Sequence, residues 1–223
     1  MKRMYLILAM VLSAMMLSCN PKDEDDNNNN GGGGGNGNNY EGIINGHGYV
    51  DLGLPSGKKW ATCNVGASSP EDYGDYFAWG ETSPKAEYTW ENSVTNGEQM
   101  SDISGNAQYD AATANWGGSW RMPTKEQMEE LVVHCEWEWT QVNGVNGAKV
   151  IGPNGSCIFL PAAGYRLGSS LYLAGYYGYY WSSSPYDNHY GDYFAYDLYF
   201  STGDEGVNYS DRRDGRTVRP ITE

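Results

Sequence analysis

One stretch of this chain carries the clear period of an amphipathic helix. In "WRMPTKEQMEELVVHC" (120–135), Met128, Leu131, Val132 and Cys135 fall at i, i+3, i+4 and i+7, one apolar stripe. Pro123 precedes the start, Thr124 is a good N-cap, and Gln127 three residues on completes a capping box. Glu126 sits in the favoured first turn. The other ordered-looking segments are short and end in turn residues. "GYVDLGLPSGKKWATCNVGA" reads as a β-hairpin turning at "LPSGKK". "EWEWTQVNG" alternates as a strand does, and "AKVIGPNGSCIFLPA" reads as two strands joined at Pro-Asn-Gly. "YYWSSS", "YFAYDLYF", "GVNY" and "RTVRPI" read as further short strands. The class is α+β, with antiparallel strands prominent, at least one flanking helix, and long loops. The region from Ser68 to Trp116 has few aliphatics; Tyr73, Tyr76, Phe77, Trp79, Tyr88 and Trp90 are the residues that can pin so long a loop.

The first residues read as a targeting segment. Lys2 and Arg3 precede an apolar run to Leu17, which has signal-peptide length and is short for a transmembrane helix. "MLSC" resembles a bacterial lipobox, with Met16 where leucine is usual, so Cys19 is the expected lipid-attachment residue. Several acyl chains, at about 0.8 kcal/mol per buried CH₂, anchor firmly where one is marginal. The run "NPKDEDD" just after Cys19 resembles the surface-export signal of Bacteroidetes lipoproteins. The tract "NNNNGGGGGNGNN" has nothing apolar to bury and reads as a flexible tether with a reach of about 25 Å. The expected organisation is therefore a signal peptide over 1–18, a lipidated cysteine and tether over 19–46, and one domain over 47–223. The expected address is the bacterial outer membrane, lipid-anchored and facing the cell exterior.

Charge and motif content exclude several functions. The chain carries −14, and −16 once Lys2 and Arg3 are removed, which disfavours nucleic acid and anionic lipid as partners. Cys63, Cys135 and Cys157 form no CxxC and have no histidine at metal-ligand spacing, so no zinc site is expected and no metal-ligating residue is assigned. Three thiols permit one internal disulfide or three free cysteines. His134 adjoins Cys135, but adjacent helix residues point about 100° apart. There is no G-x-S-x-G elbow and no phosphate loop. No catalytic residue and no cofactor is expected.

The most distinctive composition lies near the C-terminus. Of 19 tyrosines, twelve fall between Tyr165 and Tyr209, among Asn, Asp, Ser and Gly. Tyr offers large contact area at low entropic cost, and Ser, Gly and Asn offer adaptable hydrogen bonds, as in antibody paratopes. In "YFAYDLYF" one alternating set should be core, as should Tyr180 and Trp181. The candidate ligand-binding residues are those in non-alternating segments: Tyr172, Tyr176, Tyr177, Asn188, His189, Tyr190, Tyr209 and Asp211, with Arg212 and Arg213 as anchoring donors.

Several motifs occur together in order: "VDLGLPSGKKWATCNVGASSPEDYGDYFAWGET", "SWRMPTKEQMEELV", "IFLPAAGYR", "YYWSSS" and "GRTVRPI". Over about Gly48 to Ile221 they resemble the Fibrobacter succinogenes major paralogous domain family, exported bacterial domains mostly of unknown activity. The "WRMPT" helix entry also looks like that of the formylglycine-generating-enzyme group. The resemblance implies a C-type-lectin-like fold. Those oxidases hold copper with a cysteine pair near the C-terminus, and here no cysteine follows Cys157. The Glu-Pro-Asn, Gln-Pro-Asp and Trp-Asn-Asp strings of calcium-dependent lectins are also missing. The expectation is a non-catalytic surface lipoprotein that binds a protein or glycan ligand through its C-terminal loops. Target proteins of diversity-generating retroelements share the implied fold, and the lysine-free Tyr/Asn/Asp/Ser tract fits such a diversified binder. The alternatives are a structural or assembly component of a cell-surface complex and, less well supported, a polysaccharide-acting enzyme.

Overall fold

A computed structural model describes residues 40–186 and 191–223. The architecture is α+β and mostly β, with antiparallel sheets and few helices. Strands β1 (Gly42–Ile44), β2 (His47–Asp51), β3 (Lys59–Ala61) and β12 (Ile221–Thr222) form one sheet in the order β1-β2-β3-β12, so the C-terminus closes on the N-terminal hairpin. The turn at "LPSGKK" is closed by the Gly57 N–H donating to the Leu54 carbonyl at 2.9 Å. Strands β4 (Glu136–Val142), β5 (Val145–Ile151) and β6 (Cys157–Pro161) make a meander. Strand β7 (Tyr165–Leu167) pairs with β8 (Ser170–Tyr172) as a small hairpin. Strands β9 (Gly178–Pro185), β10 (Phe194–Ser201) and β11 (Asp204–Asp211) form the third sheet in the order β11-β10-β9. Two hairpins turn on Asn-Gly pairs, Asn45-Gly46 and Asn143-Gly144, all four residues at positive φ, the geometry that suits the twist of paired strands.

Helix α1 (Ala111–Trp116) falls within the stretch expected to be loop. Asp110 accounts for it: one carboxylate oxygen caps Thr113 N at 2.9 Å, and the other accepts from Gly105 N and Met122 N. Helix α2 (Lys125–His134) has the expected capping box, with Thr124 and Gln127 exchanging side-chain and backbone bonds. It buries Met128 and Leu131 and packs across β9, β10 and β11.

Two cores lie on either side of the third sheet. Met128, Leu131, Tyr180, Leu198 and Phe200 join Trp60, Val150 and Leu160 in one. Trp181 and Ala195 join Phe77, Trp79, Trp116 and Trp120 in the other. The sequence reading gave "YFAYDLYF" one buried face; the structure covers both, because the long loop packs on the second. Indole N–H groups hold that loop in place: Trp79 donates to the Ser182 carbonyl and Trp181 to the Phe77 carbonyl, both at 2.9 Å.

Candidate functional site

The tyrosine-rich tract divides into three aromatic clusters. The first is a terrace built by the β7–β8 hairpin and the start of β9. Tyr165 stacks with Tyr172 at 5.6 Å between ring centroids and meets Tyr179 edge-on at 5.6 Å. Tyr179 in turn stacks with Tyr177 at 5.8 Å. Leu171, Tyr172, Leu173 and Tyr176 around this row are all exposed, Tyr176 most of all at 71%. The turn from β8 into β9 folds on Leu173, whose carbonyl accepts from both Tyr176 N and Tyr177 N. Leu173 adopts φ +57, a left-handed conformation unusual for a large aliphatic residue.

The terrace rests on a buried ionic group. Arg216 lies against the rings of Tyr165, Tyr179 and Trp181, 4.6 Å from the Tyr179 centroid. Its guanidinium pairs with Asp197 at 2.6 Å and with Asp214 at 3.4 Å. Burial pushes the Asp197 carboxyl up, while Arg216 pulls it back. Burial likewise pushes Asp214 up to about 6, against the pull of Arg216. The rings are therefore held from below by a fixed cation that cannot reach solvent, and their outer faces are left for contact.

The second cluster lies on the opposite face of the third sheet. Tyr186 stacks on Tyr209 at 3.9 Å, and both meet Phe194 edge-on. Tyr196, paired with Tyr209 across β10 and β11, carries Lys125 of α2 over its ring at 4.8 Å. In the third cluster Arg213 covers Trp90 at 4.1 Å and pairs with Asp211 at 3.5 Å, while Tyr193 meets Trp90 edge-on.

The residues expected to bind ligand are thus separated. Tyr172, Tyr176 and Tyr177 come together on the terrace. Tyr209 belongs to the second cluster, and Asp211 and Arg213 to the third. Arg212 is corrected: it is 1% exposed and cannot anchor a ligand. Its Nε donates to the Phe194 carbonyl, its Nη1 donates to the Thr95 and Glu98 carbonyls, and its Cζ lies 4.5 Å from the Trp79 ring centroid. It clamps the long loop to the third sheet. Asn188, His189, Tyr190 and Cys19 lie outside the described residues. Tyr165 and Tyr179 carry no local signal of this role because they sit in strands, and Arg216 carries little because Asp197, its 2.6 Å partner, is 19 residues away in another element. Asp197, the lone charge in "YFAYDLYF", was the available signal for a buried ion pair.

Residues 136–221 match a family described as a domain of unknown function (DUF8237), a span that runs from β4 to β12 and contains all of the terrace. No curated protein matches the chain. No solved structure matches it either. Elsewhere, burial pushes the Cys135 thiol up to about 11, which disfavours the thiolate a nucleophile needs, and His134 beside it is exposed. Cys63 and Cys135 are free thiols. Among the described residues no helix is long and apolar enough to cross a membrane, and no group of three or more acidic, histidine or cysteine side chains could hold a metal ion.

Proposed function

We propose that this protein is a non-catalytic binding lipoprotein of a bacterial outer surface, anchored through Cys19, that takes a protein or glycan ligand on its tyrosine terrace. The observation that carries this reading is the row Tyr172–Tyr165–Tyr179–Tyr177, pre-stacked, fixed from below by Arg216 and bordered by exposed Tyr176, Leu171 and Leu173. Rigid amphipathic rings lose little entropy on binding, and such residues dominate interface energetics. The ordered motifs support membership of the Fibrobacter succinogenes major paralogous domain group and a C-type-lectin-like fold. The exposed Leu171 and Leu173 favour a second reading, a structural component of a surface complex with one fixed protein partner, since aliphatic side chains offer a sugar no hydrogen bond.

The test screens the chain against a glycan array and by surface cross-linking, wild type beside Tyr172→Ser/Tyr176→Ser. A ligand whose binding falls at least about ten-fold in the double variant, roughly 1.4 kcal/mol, supports the terrace. A ligand held equally by both proteins removes it. Palmitate labelling that survives Cys19→Ala would remove the anchor.

A further inference from the structure

The N-terminal hairpin carries a groove that shares no residue with the terrace. Its volume is about 360 Å³, and its walls include Tyr40, Ile43, His47, Thr62, Cys63 and Trp116. That volume is within the range of small-molecule sites, about 300–1,000 Å³. In a chain with 28 acidic and 14 basic residues, no Asp, Glu, Lys or Arg lines it among the described residues. An anionic ligand would lose its hydration there without meeting a cation, so the groove disfavours one.

The polar groups narrow the choice further. His47 lies flat on Trp116, with centroids 3.7 Å apart and planes within 5°, and stands edge-on to Trp120. Its ring is thereby fixed, and among the described residues its nitrogens have no hydrogen-bond partner. Burial lowers its pKa, so at neutral pH it offers one donor and one acceptor. The Thr62 hydroxyl donates to the Gly48 carbonyl and lies 3.6 Å from the Cys63 Sγ, and that of Ser68, also in the lining, donates to Asp72. Both hydroxyls therefore meet a ligand as acceptors. A lining that combines stacked aromatic rings with several acceptors calls for a ligand with an apolar face and closely spaced hydroxyl donors. A pyranose ring has both; an aromatic heterocycle has the face but few donors.

We propose that this groove is a second binding site, for a neutral saccharide unit, with His47 and Trp116 as its wall and Thr62 and Ser68 as acceptors at its rim. It does not depend on the terrace. Cys63 provides the probe, since it is a free thiol in the lining. The full chain is alkylated with iodoacetamide in the presence of lactose, cellobiose or chitobiose, with glucuronic acid and indole as contrasts. Mass spectrometry follows the Cys63 peptide, and a small free thiol added to the reaction is the reference, since burial pushes the Cys135 thiol up to about 11 and slows its alkylation. At ten times its Kd, a disaccharide that fills the groove slows alkylation of Cys63 about ten-fold, because only the free fraction reacts, and leaves the reference thiol unchanged. His47→Ala and the shape-conserving Thr62→Val each remove that protection, and Tyr176→Ser preserves it. The proposal is overturned if none of the three sugars protects, if glucuronic acid or indole protects equally, or if protection persists in both groove variants. Loss of protection in Tyr176→Ser would assign the sugar to the terrace instead.

Discussion

A glycine and a tyrosine in the terrace make opposite predictions. Gly164 has φ +63, and a Cβ there would stand 2.1 Å from the Tyr172 carbonyl oxygen, a backbone atom that cannot swing away. Gly164→Ala combines left-handed strain with that clash and should destabilise the fold by at least about 2 kcal/mol, seen as a lower denaturant midpoint. Tyr176 is 71% exposed, so Tyr176→Ser should change stability by no more than about 0.5 kcal/mol while weakening ligand binding. A stability loss as large as that of the glycine variant would mean Tyr176 is structural. These roles were unevenly legible. Tyr172, Tyr176 and Tyr177 stand out in the sequence as non-alternating residues, and the structure brings them together on one surface. Arg212 was misplaced because its three carbonyl partners, Phe194, Thr95 and Glu98, are 18, 117 and 114 residues away. A run of Asp, Arg and Gly looks like a surface turn until those distant carbonyls are brought to it.

At the scale of elements, helix α2 was legible because its signals are local. The apolar stripe, Thr124 and Gln127 all act within a few residues, and the structure joins them as a capping box. Thr124→Ala should therefore cost about 1 kcal/mol, and Thr124→Ser should restore most of it. Thermal melts of the three proteins check this, and an unchanged midpoint for Thr124→Ala would show that packing alone holds the helix start. Helix α1 was not legible: six residues are too few for a period, and its cap Asp110 also serves Gly105 and Met122. The Asn-Gly hairpins could have been read, since that pair between short apolar runs is a strong turn signal. Burial of both faces of β10 could not. The second face is covered by a loop whose packing depends on single indoles rather than on any repeat.

At the scale of the molecule, the Arg216 cluster joins the terrace to both of its supports. Asp197 comes from β10 and Asp214 from the turn after β11, while Arg216 bonds through its backbone to Phe77 of the long loop. Arg216→Met would leave Asp197 buried without its cation and should cost about 3–5 kcal/mol, the usual penalty for breaking a buried pair from one side. Asp214 adds a pH dependence of definite sign. Its folded pKa of about 6 lies above the ordinary 3.8. Between these values the folded chain holds a proton that the unfolded chain has released, so its contribution to stability falls as pH rises from about 4 to about 6. Above that window the folded state carries a buried carboxylate only partly offset by Arg216, a loss on the order of 3 kcal/mol. Asp214→Asn keeps the shape and removes the titration. Its melting temperature relative to wild type should therefore climb by several degrees between pH 4 and pH 7, at about 2–4 °C per kcal/mol for a domain of this size. Comparing the two proteins cancels the acidic groups with the opposite slope, such as Glu223, which Lys58 and Arg121 hold down at about 2. A constant difference across that range would mean that Asp214 is ionised in the folded protein throughout. The terrace would then rest on a permanently charged triad, and ligand binding there should be as insensitive to pH as the melting difference.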